Sequence, residues 1–212
     1  MWADDDADMV IWTDTSLHNA LAFVYSNKGW IYPIRPLPEG VKVDIFFLEL
    51  LAITSAVYHA SSLPCPPHRL LVWTYSLDSV SVLNSLHAAN LLHNAPLLAI
   101  ANVILQTGMD LHVQFIKGKK NVHANMLSRL LIDQYQSKFS ADHVEGFTPP
   151  QELLLAQWRE STFECAGGEE GHSMCALPLW MKLTASLATS FDVTIQTIHW
   201  LIPKDSQFIQ YG

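Results

Sequence analysis

Between Ile45 and Val57 the chain carries one charge, Glu49, in a run otherwise built from Ile, Phe, Leu, Ala and Val with two hydroxyls. Asp44 is placed to cap a helix there, running to about Ser61, where Ser-Ser-Leu-Pro-Cys-Pro-Pro breaks it. A helix that is apolar nearly all round is buried, not amphipathic. The run is short for a bilayer and holds a carboxylate, so it predicts no transmembrane helix. Glu49 itself is the anomaly. A buried, unpaired carboxylate is costly and needs a cation, a hydrogen-bond donor or a shifted pKa. The plainer reading is a side chain reaching a backbone donor or the domain rim.

The segments around this helix set the architecture. Met9-Val-Ile-Trp-Thr-Asp14 is an apolar run ending in an acid, as in a buried strand that stops at a sheet edge. Leu21–Tyr25 and Trp30–Ile34 flank Ser26-Asn-Lys-Gly29 and predict a hairpin. Arg69–Thr74 predicts a fourth strand and Leu111–Ile116 a fifth. Helices are expected over Ser79 to about Ala89, Pro96 to about Gln106, and Asn121 to about Gln136. The order βββαβααβα implies an α/β fold, a mixed five-stranded sheet with flanking helices. Beyond Lys138 the pattern weakens. A short helix is expected near 151–160, a loop at Ala166–Gly171 and a helix at Pro178–Ala188. The expected organisation is an acidic tail at 1–8, one domain at 9–138, and a linker-like extension with short helices at 139–212.

Charge is uneven. The net is −8, but Asp4, Asp5, Asp6 and Asp8 supply −4 and residues 139–212 supply −6, leaving 9–138 at +2. The acidic total therefore leaves a nucleic-acid partner open for the middle segment, while arguing against a strongly basic binder. An odd set of three cysteines, Cys65, Cys165 and Cys175, and no apolar leader point to a reducing, intracellular compartment, cytoplasmic or nuclear, not to secretion. Cys165, His172 and Cys175 lack the spacing and the fourth ligand of a zinc site. The tryptophans read as core.

An acid ending the first strand and another in the first long helix, in this element order, resemble the ribonuclease H superfamily. The likeness runs most nearly to the ribonuclease H-like segment of reverse transcriptases from fungal retroelements that carry a tyrosine recombinase. Trp12-Thr-Asp-Thr-Ser16, Leu48-Glu-Leu-Leu-Ala-Ile53, Val72-Trp-Thr-Tyr-Ser-Leu-Asp-Ser-Val80 and Asn121-Val-His-Ala-Asn-Met-Leu-Ser-Arg129 carry it. The last is similar to the family's N-x-x-A-D-x-L-S-R helix.

The resemblance implies four acids holding two divalent metals, magnesium or manganese, about 4 Å apart across a scissile phosphate. Asp14 and Glu49 match the first two and are the metal ligands it implies. Tyr75 stands at the third position and Asn125 at the fourth. A phenol with pKa near ~10 and a neutral amide replace two charges, so metal binding is expected to be weak and catalysis impaired. Asp78, three residues past Tyr75, is a candidate rescue ligand, although it reads first as an N-cap. Lys117, Lys119 and Lys120 form a basic turn able to meet phosphates, or simply a solvated turn. His123 falls nearby and reads as a surface or packed histidine.

Three readings follow. The first is a ribonuclease H-like module with residual or no affinity for an RNA–DNA hybrid or other nucleic acid. The second is an active metal-dependent ribonuclease H, and the third is a decaying element. With the sequence ending at Gly212, neither a recombinase nor an upstream polymerase is expected, as in a fragment of a larger polyprotein.

Overall fold

The computed structural model describes residues 2–36, 43–88 and 90–155. The expected loop at 166–171, the expected helix at 178–188 and the Cys165–Cys175 region lie outside them.

Three antiparallel strands open the fold: β1 (Met9–Thr15), β2 (Ala20–Tyr25) and β3 (Lys28–Pro33). The β2–β3 turn is the two residues Ser26 and Asn27, both in the left-handed region (φ 47 and 58). That geometry matches the strand twist, and Asn tolerates it well. Gly29 then sits inside β3, where a Cβ would collide with the Leu127 methyl. Asp44 accepts the Phe47 N–H at 2.7 Å and starts α1 (Ile45–Ser61), as expected. Next come β4 (Arg69–Thr74), α2 (Leu77–Ser85), α3 (Leu91–Thr107), β5 (Asp110–Phe115), α4 (Val122–Ser128), α5 (Ile132–Lys138) and β6 (His143–Gly146).

The sheet order is β5-β4-β1-β2-β3-β6, with β1–β4, β4–β5 and β3–β6 parallel. Ile11, Phe23, Leu70, Val72 and Val113 bury one face against Ile53, Ala56, Val57 and Ala60 of α1 and Ile100 and Val103 of α3. Ala22 and Val24 meet Ala124, Leu127 and Tyr135 of α4 and α5 on the other. The helix that looked apolar all round is apolar for this reason. It packs on β1, β2 and β4, on α2 and α3, and on the segment after β6, where Leu153 and Leu154 join Phe47, Leu48 and Leu51.

The structure corrects several expectations. The sheet has six strands, because His143–Gly146 pairs with Lys28–Ile31. Four residues with Glu and Gly among them carry no apolar alternation to announce a strand. The expected last helix is two, α4 and α5, separated where Leu130 turns left-handed (φ 57). The helix expected from Pro96 begins at Leu91, capped by Asn90, and contains the proline. Near 151–160 the described part is a single 3₁₀ turn, Gln151–Leu153.

The acidic residues 2–8 lie across β4 and β5. Trp2 stacks on His112 with centroids 3.7 Å apart, Gln114 donates to the Trp2 carbonyl, and Trp73 Nε1 donates to Asp4 at 2.9 Å. Asp8 accepts the backbone N–H groups of His68 and Arg69. Among the described residues no helix is long and apolar enough to cross a membrane.

Candidate active site

Asp14 is the sixth residue of β1, opposite Ala22. Its partner comes from α4: Ser128, fully buried, donates Oγ–H to Asp14 Oδ2 at 2.6 Å. Asn121, at the other end of α4, donates Nδ2–H to the Thr13 carbonyl at 2.8 Å. The closing motif therefore pins its helix to β1 at two points. Burial pushes the Asp14 carboxyl above the ordinary carboxylate range, against the Ser128 hydrogen bond, the Arg129 charge and the Thr15 backbone donor.

Glu49 projects from α1 toward the β4–α2 step. Burial raises its carboxyl, a hydrogen bond from Ser76 opposes this, and the charges of Asp14 and Asp78 raise it further. Ser76 also caps α2, accepting from the Ser79 N–H at 3.2 Å and from the Ser79 hydroxyl at 2.8 Å. Its own proton is thereby left for Glu49. The N-cap of α2 is Ser76, not Asp78; Asp78 is the helix's second residue, exposed and within electrostatic reach of Glu49.

Two of the expected ligands are brought together, and the others are arranged differently. Tyr75 does not fill the space by Asp14 and Glu49. It is 55% exposed, and its ring rests against Phe115 and the Gly118 turn. Asn125 lies in α4, half-buried, its backbone carbonyl accepting from Ser128 at 3.0 Å. His123 is a packed histidine, stacked on Phe139 at 3.7 Å and paired with Asp142 at 3.3 Å. Lys117, Lys119 and Lys120 are exposed on the turn between β5 and α4.

Sequence reading missed Ser76 and Ser128 as the groups that hold the two acids. Both stood inside quoted stretches, Ser76 in Val72–Val80 and Ser128 in Asn121–Arg129, and neither was singled out.

Among the described residues no three carboxylate, imidazole or thiol side chains are gathered as a metal site requires. Each carboxylate accepts from a hydroxyl, Asp14 from Ser128 and Glu49 from Ser76, and at the two further positions that the resemblance implies stand a phenol turned outward and a neutral amide.

The raised Asp14 carboxyl has a consequence for stability. The folded chain holds that proton more tightly than the unfolded chain. Its contribution is full below the ordinary carboxylate value and is lost as pH rises through the raised one. Asp14→Asn is therefore expected to raise Tm at pH 7 by roughly 2–4 °C, the shift that ~1 kcal/mol gives in a domain this size. The advantage should vanish near pH 4. A lower Tm for the variant at pH 7 would mean that the Ser128 hydrogen bond outweighs desolvation.

Fold and site together define an α/β protein with a mixed sheet and two acids, Asp14 near the end of β1 and Glu49 on α1, within electrostatic reach of each other. No family model matches the sequence, and no curated protein matches it. Among solved structures, the chain is similar to ribonuclease H1 from the archaeon Halobacterium salinarum NRC-1. The identity is 13%, with 59% of this chain and 98% of that one covered, and the TM-score is 0.45. It is also similar to the prototype foamy virus protease-reverse transcriptase, at 16% identity over 64% of this chain and 22% of that one, TM-score 0.43.

Proposed function

We propose that the chain from about residue 9 to about 155 is a ribonuclease H-like nucleic-acid module of reverse-transcriptase descent, impaired in metal-dependent cleavage. The observation that carries this is the pairing of Asp14 on β1 with Glu49 on α1, in a fold of this strand order, while Tyr75 turns outward and Asn125 is neutral. The partner class is an RNA–DNA hybrid, met at the carboxylate end of β1. The domain, expected over 9–138, is extended in this reading through β6, which pairs with β3, and only the remainder of the 139–212 segment is taken as the linker-like extension. The odd cysteine count supports a reducing compartment, nuclear or cytoplasmic.

A second reading is favoured by one observation, the field of Asp78 at Glu49. In that reading Asp78 joins Asp14 and Glu49, with Asn125 as a neutral donor, and the module cleaves the RNA strand. Hydrolysis of an end-labelled RNA–DNA hybrid, in magnesium and then manganese, separates the two. The impaired module is expected to leave the hybrid intact while circular dichroism reports a folded protein. Cleavage that disappears in Asp14→Asn would establish the enzyme instead.

A further inference from the structure

The outer side of β1 carries features that the acid site does not use. Two cavities, of about 440 and 450 Å³, share Trp12 and Lys120 in their walls. Each is in the size range of a small-ligand pocket. The second is walled by Trp73 and Phe115 and edged by Lys117. The first is walled by Asn121 and His123 and reaches the Ser26–Asn27 turn. Trp12 and Trp73 are only half-buried, unlike Trp30, which is core. None of Asp14, Glu49, Asp78 and Asn125 lines either cavity.

The chemistry of the walls is specific. Indole and phenyl faces accept any stacked base, and lysines at the rim meet phosphates. Asn121, 2% exposed, is fixed in the wall of the first cavity by its Nδ2–H bond to the Thr13 carbonyl; its Oδ1 is buried, with no hydrogen-bond partner among the described residues. Asp142, which also lines that cavity, is occupied by the Tyr135 hydroxyl at 2.6 Å and by His123. Asp4, held by Trp73, is the acid facing Lys117 and Lys120 across the second.

We propose that this groove binds single-stranded nucleic acid. Successive bases lie on Trp12 and on Trp73 with Phe115, and Lys117 and Lys120 hold the intervening phosphates. The acidic segment 2–8 stands at one end and opposes binding through Asp4. This rests on the preceding reading only for the class of ligand; the carboxylates take no part.

The test is anisotropy of a fluorescent twelve-nucleotide deoxythymidine strand, titrated with the full chain in EDTA at low salt, which removes the metal question. The strand is expected to bind more tightly than a duplex of equal length. Lys117→Gln with Lys120→Gln, both at exposed positions, should weaken it about 10-fold or more and flatten the salt dependence. Trp12→Leu, checked for folding by circular dichroism, should weaken it by a similar factor. Asp4→Asn should tighten it severalfold. No binding, equal or tighter binding of the duplex, an unchanged affinity in the lysine variant, or equal binding of an acidic peptide would each overturn the proposal. Cleavage of a hybrid in magnesium reports on the other site alone, so the two readings fail separately.

Discussion

Tyr75→Asp combined with Asn125→Asp is expected to turn a chain with little response to magnesium into one that magnesium stabilises. In the β1–β4 ladder Trp12 lies beside Trp73. Two residues further along the same register, Asp14 comes level with position 75. Asn125 sits one helical turn before Ser128, whose hydroxyl grips Asp14. Carboxylates at 75 and 125 would therefore join Asp14 and Glu49. In EDTA the double variant should melt below the parent. Glu49 already feels Asp14 and Asp78 as repulsion, and two further charges add to it. At magnesium about 100 times the Kd, binding to the folded state is worth about 2.7 kcal/mol, roughly 5–10 °C in Tm. Thermal melts in EDTA and in a magnesium series, on parent and variant, give the answer. A variant with no magnesium response beyond the parent's would show that positions 75 and 125 do not stand where the two missing acids belong.

Gly29→Ala should cost about 2 kcal/mol, a large effect for one methyl group. Here φ is not the issue; space is. A Cβ at position 29 runs into Leu127, a fully buried residue of α4, with the Tyr135 hydroxyl oxygen and Val144 close behind. Overpacking of this kind costs about 1–3 kcal/mol. Leu127→Ala alone is also destabilising, by about 2–5 kcal/mol, because it leaves a void. In the Leu127→Ala background, however, the alanine at 29 has room, and its penalty should fall close to zero. Urea denaturation of the four proteins of this cycle measures the coupling. Strict additivity would mean that α4 does not press on β3 as described.

What could be read from the residues follows a physical division. Asp44, Ser26–Asn27 and the all-apolar face of α1 are local signals, each sufficient by itself, and each is found where expected. The Asp14–Glu49 pair was legible through the element order and the family resemblance; the lone carboxylate in an apolar helix, costly though it is, read first as one reaching a backbone donor or the domain rim. Features that depend on distant partners were not legible. β6 is a strand because β3 offers it a free edge, through bonds such as His143 N–H to the Asn27 carbonyl at 3.0 Å. Ser76 outcompetes Asp78 as a cap because its hydroxyl sits one residue before the helix while also serving Glu49. Trp12 and Trp73 read as core because indole usually is. They are instead only partly buried, Trp12 lining both cavities beside Lys120 and Trp73 the second. Pro96 looked like a start because proline suits a first turn. Asn90 supplies an earlier cap, and Leu97, Ile100 and Val103 bury the helix firmly enough to carry the proline inside.

The β3–β6 ladder has a bearing on how such a chain can be handled or cut. Without His143–Gly146, β3 would present a row of unpaired amides and carbonyls from Lys28 to Ile31, on a strand that contains Trp30, Ile31 and Tyr32. Open edges of that kind template self-association. A shortened version ending where the helices end, at Lys138, would keep the acids, the lysine turn and most of the core, and would be prone to pair edge to edge and precipitate. The four residues that look most like linker thus cover the edge through which the domain would otherwise pair with itself.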